Sequence, residues 1–482
     1  MKKNHITWLT AVIGLISVVI VLFNLRHHIL CIKFPYNLEY REGVVAYWVK
    51  NFVNGQSLYP EIQQNPPYVH NPYTPLYYVV TGLTQKLMKT KSIFLAGRLL
   101  SFLCLVATSM LIFGIVKMYG TTISGLLSAG IFFCSPVVTN YGCLEIVDMM
   151  ALCFCLAGIY YGLKKTNRSM IFSGIFCACS ILTKPVFVIP GLSMLFSNFF
   201  DKNVRRKLFP FAFLVTLFAV FSILFFKYRN NLFQHLLLFN MLPLNFSHFL
   251  NVFSQVGVRH TFIFSSIPLL AGIIKDRKNP LYWYCIFIPL TLLFSAKIGS
   301  ESNYFLEIIA LSSIAAGIIF SHVEAKQIIA VACLGQLFLF LPFKPAPVFT
   351  KTYGQEIPGA ISSEPDKTLM EVDEIISSEL MGTSDPVLSE NTGWLVYADK
   401  TVYLEPYQFS LLAKYGRWDD TTIVEMIKEK QFNLIIINAE TYEKTGEKFT
   451  KNMLDAMKFS YAIGRIIGNT YILEPVISWT NE

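Results

Sequence analysis

Charge is scarce in this sequence: of 482 residues only 15% are Asp, Glu, Lys or Arg, where a soluble globular protein carries about 25%. With 54% hydrophobic residues and a mean hydropathy of +0.49, the shortage excludes a chain bathed in water along its whole length. Metal-site and disulfide spacings are missing as well. The ten cysteines sit mostly inside apolar runs, such as Cys153, Cys155, Cys177 and Cys179, and read as small buried hydrophobes. No cysteine follows Cys333, so the end of the chain carries no redox information. The net charge of +9 comes from Lys and Arg beside apolar segments, where membrane topology accounts for them and nucleic acid is not expected.

What is present is a series of apolar segments at about 6–25, 93–116, 121–140, 147–163, 169–183, 185–200, 208–226, 261–274, 281–296, 304–321 and 327–343. These predict eleven membrane spans, several of them shorter than the ~20 residues that a perpendicular helix needs. A further stretch, Tyr73 to Leu87, is short and interrupted by Pro75, and reads as a segment lying flat in the interface. No cleavage site follows the first apolar run, so it is read as an uncleaved span. Basic clusters at Lys164–Arg168, Lys202–Lys207 and Lys275–Lys278 fall two spans apart. With Lys2 and Lys3 on the same side, they place the amino terminus inside and the carboxyl end outside. The expected fold class is mainly α: a polytopic bundle over residues 1–345, with an external first loop at about 34–92, and a small α/β soluble domain over 346–482.

That topology puts the unusual polar groups on one side: Glu39 and Glu42, Glu145 and Asp148, Lys184, Arg259 and His260, and the run Ser300 to Glu307. Ionisable residues near a membrane are costly, so a one-sided set suggests a cavity open to the outer face. If residues 38–52 are helical, Glu39 and Glu42 are i,i+3 neighbours on one face. Two close carboxylates would raise each other's proton affinity, which suits a base acting on a hydroxyl. Spacing alone equally permits a solvated interfacial helix whose acids pair with Arg41 and Lys50.

The order Tyr40-Arg41-Glu42-Gly43, Asn54-Gly55-Gln56-Ser57-Leu58-Tyr59, Tyr73-Thr74-Pro75-Leu76 and Gly97-Arg98-Leu99-Leu100-Ser101 resembles the first-loop signature of GT-C membrane glycosyltransferases. That superfamily includes protein O-mannosyltransferases and lipid A aminoarabinose transferases. The likeness continues through Asp148, Leu182-Thr183-Lys184-Pro185 and Asn303-Tyr304-Phe305-Leu306-Glu307 into Glu390-Asn391-Thr392-Gly393 and Gly416-Arg417-Trp418-Asp419. It implies a polyprenyl-phosphate sugar donor, a lipid, glycan or protein acceptor, surrounding membrane lipid, and an inverting transfer. The implied base is Glu42 or, as substitute, Glu39; many members carry Asp-Glu where this chain has Arg41-Glu42. Asp148 matches the second acidic position, or else caps the helix that it opens. Lys184 matches a Thr-Lys turn that could hold the leaving phosphate, or is a snorkelling lysine. Arg259 and His260 are further phosphate candidates, Tyr73 a substrate contact, and Asn303 and Glu307 face either the cavity or a helix contact. No Asp-x-Asp motif occurs and a monophosphate leaving group needs no metal, so no metal or cofactor is expected.

Beyond Lys351, short apolar runs at 386–389, 401–404, 434–437 and 471–473 alternate with a helical pattern at 421–431, which predicts the α/β domain. Lacking a glycine-rich phosphate loop, this region reads as acceptor-binding or structural. The competing functions are a transporter of lipid-linked saccharide, disfavoured by the absence of repeats, and a non-catalytic membrane partner.

Overall fold

The computed structural model describes residues 2–62, 65–201, 207–322, 326–340, 365, 367–444 and 448–476. Helix α1 (Lys2–Lys33) enters the first loop, which holds α2 (Tyr40–Val53) and α3 (Leu76–Met88). A bundle follows: α4 (Leu95–Lys117), α5 (Thr122–Cys134), α6 (Pro136–Tyr141), α7 (Asp148–Lys164), α8 (Asn167–Thr183), α9 (Ile189–Phe200) and α10 (Leu208–Leu236). It continues with α11 (Phe246–Phe264), α12 (Ser266–Ile273), α13 (Pro280–Phe287), α14 (Leu290–Ser295), α15 (Leu306–His322) and α16 (Lys326–Phe340).

All eleven apolar segments fall on these helices. Five stretches among the described residues are long and apolar enough to cross a membrane: Ala11–Lys33, Leu95–Lys117, Leu208–Asn240, Phe246–Ile273 and Ser302–His322. Helix α3, at 13 residues, extends about 20 Å and is too short to span. Side-chain caps set several starts: Thr121 and Thr166 each form a reciprocal capping box with the serine three residues on. One expectation needs correcting. The segment placed at 261–274 begins at Phe246, where Asn245 caps α11 by accepting from His248 N, so Arg259 and His260 lie within a helix and not in a loop.

The tail contains α17 (Lys367–Gly382), β1 (Val387–Ser389), α18 (Thr392–Tyr397), α19 (Pro406–Lys414), α20 (Thr421–Lys428) and β2 (Leu434–Asn438). It ends with α21 (Ala439–Glu443), α22 (Lys451–Ser460), β3 (Tyr461–Ile467) and β4 (Thr470–Pro475). The strands form one sheet in the order β1-β2-β4-β3, with β1 parallel to β2 and the other pairs antiparallel. Residues 401–404, expected as a strand, make only an isolated bridge from Leu404 to Tyr68 of the first loop. The expected domain boundary at 345/346 and most of the Lys202–Lys207 cluster lie outside the described residues.

The tail does not pack by itself. One hydrophobic core joins Val44, Trp48 and Tyr59 of the first loop to Ile376, Val387, Leu395 and Ile436. Another joins Tyr68 and Phe239 to Leu388, Phe409 and Ile435. Where α2 meets α18 the backbones touch, and a Cβ on Gly43 would overlap the backbone of Gly393. Replacing Gly43 with Ala should therefore lower the melting temperature of the purified protein and speed proteolysis of the tail, at a cost of roughly 1–3 kcal/mol. Gly382→Ala, where a Cβ meets nothing within 4 Å, should leave both unchanged.

Candidate active site

Two carboxylates of the first loop meet very different fates. Glu39 is the N-cap of α2, in extended conformation, and its side chain accepts from Arg41 N, while Glu42 lies in the helix's first turn and is fully buried. They do not share a face as the i,i+3 spacing predicts, because the helix begins at Tyr40. Glu42 Oε1 accepts from Arg98 Nε at 2.9 Å and Glu145 N at 2.7 Å; Oε2 accepts from Arg98 Nη2 at 2.8 Å and Leu38 N at 2.7 Å. Both oxygens are thus saturated. Arg98, also fully buried, donates in addition to the carbonyls of Cys31, Phe34 and Tyr36. The pair ties the end of α1, the first loop, α4 and the segment before α7 together.

Glu145 sits against this clamp, and a Cβ on Gly97 would overlap its side chain. Burial, reinforced by the charge of Glu42, pushes the Glu145 carboxyl well above its usual range despite Arg98. Neither of its oxygens has a hydrogen-bond partner.

Glu39 opens instead onto a cavity of about 520 Å³ lined by Arg41, Tyr141, His248, Ser300 and Glu301 among others. Its side chain is 26% exposed. Arg41 Nε donates to Glu39 Oε1 at 3.0 Å, and Arg41 Nη2 to Glu301 Oε2 at 2.8 Å. Tyr141 Oη donates to Glu301 Oε2 at 3.3 Å. Burial raises the Glu39 carboxyl to about 7, with Arg41 opposing and Glu301 adding to the rise.

Beside this network lies a second ion pair, buried and 2.6 Å long, between Lys184 Nζ and Asp148 Oδ1. Asn303 Nδ2 donates to the same oxygen at 3.0 Å. Lys184 lies 4.5 Å from the centre of the Tyr304 ring and 5.7 Å from that of Tyr73. Its charge is felt by Arg41, Glu301 and Lys297. Burial and the repulsion of Lys184 push Lys297 down to about 8, and among the described residues no carboxylate pairs with Lys297. Asp148 is the first residue of α7 and makes no side-chain cap.

Of the expected site residues, the structure thus groups Glu39, Asp148, Lys184, Asn303 and Tyr73. It separates the others. Glu42 is held in the clamp. Glu307 lies in α15 beside Tyr284 and Cys155 with Oε1 unbonded. His260 is buried between Ser135 Oγ and its own helix, and Arg259 offers its carbonyl to Gln336. Tyr141 and Lys297 join the site without having been singled out; Glu301 lay in the noted run Ser300 to Glu307, and Arg41 had been named as a pairing partner for the first-loop acids, as it is for Glu39. A larger cavity of about 1110 Å³ runs under residues 410–420 of the tail and shares His248 with the smaller one. The larger is lined by Lys414, Arg417, Asp419, Asp420 and Lys451 of the tail, the smaller by Glu39, Arg41 and Glu301.

Residues 71–226 match the family model described as dolichyl-phosphate-mannose-protein mannosyltransferase. No curated protein matches the sequence. The crystal structure of ArnT from Cupriavidus metallidurans in the apo state superposes with a TM-score of 0.66 at 12% identity, covering 95% of this chain and 97% of that one. The same protein bound to undecaprenyl phosphate gives 0.61 at 14% identity, covering 96% and 98%. The oligosaccharyltransferase of Archaeoglobus fulgidus in the apo form gives 0.56 at 12% identity, covering 97% and 75%. The fold is therefore that of ArnT and of the oligosaccharyltransferase, and, with five helices among the described residues long and apolar enough to cross a membrane, the chain is a multi-pass membrane protein.

The clamp sets an expectation for stability. Replacing Glu42 by Gln leaves the buried Arg98 charge uncompensated and should cost about 3–5 kcal/mol. Glu39→Gln, at a partly open pair, should change the melting temperature little, both variants being read by scanning fluorimetry of the purified protein.

Proposed function

We propose that this chain of GT-C fold, with its mannosyltransferase-family match across residues 71–226, transfers a sugar from a polyprenyl-phosphate donor to a hydroxyl acceptor at the outer face of the plasma membrane. The observation that carries this reading is Glu39, a first-loop carboxylate partly open to a cavity that Arg41, His248 and Glu301 also line. The reading keeps eleven spans, an amino terminus inside, and the first loop and residues 346–482 outside.

In this mechanism Glu39 takes the proton of the acceptor hydroxyl, and the oxygen attacks the anomeric carbon as the bond to the phosphate oxygen breaks. The configuration inverts and polyprenyl phosphate departs with the electron pair. Lys184 and Lys297 stabilise its charge, Asp148 and Asn303 hold Lys184 in place, and Tyr73 and Tyr304 border it as sites for the sugar. Glu42 positions the loop through Arg98 and takes no proton. Arg41, where relatives carry an acid, keeps Glu39 fixed by its two ion pairs.

One observation favours a second reading. The Arg41–Glu39 pair also suits a non-catalytic membrane partner, whose carboxylate would be neutralised rather than poised.

The two are separated by mass spectrometry of polyprenyl phosphate released when the reconstituted protein meets a panel of polyprenyl-phosphate sugars and membrane extract. Release by the native protein, and at least a hundredfold less by Glu39→Gln, is the result expected of a lost general base, which contributes ~10²–10⁴ in rate. Binding of donor without release by any variant would favour the partner reading. Because the Glu39 carboxyl is raised to about 7 and acts deprotonated, the rate should climb with pH up to about 7 and level above it.

A further inference from the structure

Away from the cavity, three groups suited to a soft metal converge. His27 and Cys31 lie one turn apart on α1, and Cys143 comes from the segment between α6 and α7. One ligand atom of each lies within 4.8 Å of the others. All three side chains are buried. Cys31 Sγ is 3.4 Å from His27 Nε2, and Cys143 Sγ lies against Cys31 Sγ and 3.9 Å from the Thr139 carbonyl.

The next residue does not belong to the group. His28 is fully buried and neither of its ring nitrogens has a hydrogen-bond partner, but its ring packs against Phe102 and Phe133, and its nitrogens are not among the converging atoms.

We propose that His27, Cys31 and Cys143 bind one zinc ion. Two thiolates and one imidazole are a known set of three protein ligands for zinc. Charge argues for a divalent ion: with two thiolates it leaves no net charge in a place without solvent, next to an Arg98–Glu42 pair that is itself neutral. A Cys31–Cys143 disulfide would use the sulfurs alone and leave His27 without a role. On binding, each thiol gives its proton to solvent and forms a sulfur–zinc bond, with no change of oxidation state. The ion fixes the end of α1 to the segment ahead of α7. Because Arg98 donates to the Cys31 carbonyl at 2.9 Å, it braces the clamp from beneath. This site is independent of the transferase reading.

The test uses the full chain in detergent, loaded with zinc, desalted and assayed by inductively coupled plasma mass spectrometry. About one zinc per chain is expected, lost in the Cys31→Ser/Cys143→Ser double variant and kept in Cys104→Ser/Cys153→Ser. Cobalt added to the native protein should give near-ultraviolet thiolate-to-cobalt absorption, a readout that does not depend on a variant folding. The proposal is overturned by native protein that holds neither metal, by zinc retained in the first double variant, or by a Cys31–Cys143 disulfide in non-reducing peptide maps.

Discussion

A charge buried without a partner is among the most expensive things a protein can contain, and the fully enclosed guanidinium of Arg98 organises this fold around that cost. Its donors reach Glu42 and the carbonyls of Cys31, Phe34 and Tyr36. Each acceptor lies on a different part of the entry to the bundle. The end of α1, the start of α2 and the segment before α7 therefore hold one arrangement or leave a charge stranded. Glu42, once committed to this work, has no lone pair left for substrate. Glu39, three residues earlier and outside the helix, is the first-loop acid that remains available.

The tail extends the same constraint outward. Its contacts with α2 and the residues just before it are close and varied: Gly43 against Gly393, Asn37 with Asn391, Lys50 with Asp399, and Tyr407 N donating to Tyr40 Oη. Helix α2 is thus gripped from the bundle by Arg98 and from the tail by backbone contact. A carboxylate at its N-cap inherits that rigidity, which a proton acceptor needs if it is to meet a substrate at a fixed distance.

The helical bundle was legible in the sequence, because apolar helices are written in composition: within the described residues the eleven apolar segments fall on helices, five stretches of which are long and apolar enough to cross a membrane. The failures have physical causes. Helix α11 was begun too late because His248, Asn251, Ser254, Gln255, Arg259 and His260 look like loop, although an asparagine cap and internal bonds hold them in a helix. Strand β3 carries Gly464 and Arg465 and is largely exposed along its length, so no apolar run announced it. In the site, Asp148 and Lys184 were found by motif and do meet. Arg41 with Glu301, and the convergence of Cys31 with Cys143, depend on distant parts of the chain and leave no local pattern. Arg98 stood inside a noted motif, but its role appears only where Glu42 turns inward.

The central claim is that the clamp and the open carboxylate divide the labour of the first loop. A cryo-electron microscopy structure of the chain in a lipid nanodisc with undecaprenyl phosphate tests it directly. The account predicts phosphate density beside Lys184 and Lys297, with Glu42 and Arg98 still joined. A phosphate bound elsewhere, or a Glu42 released from Arg98 and turned toward the ligand, would contradict it.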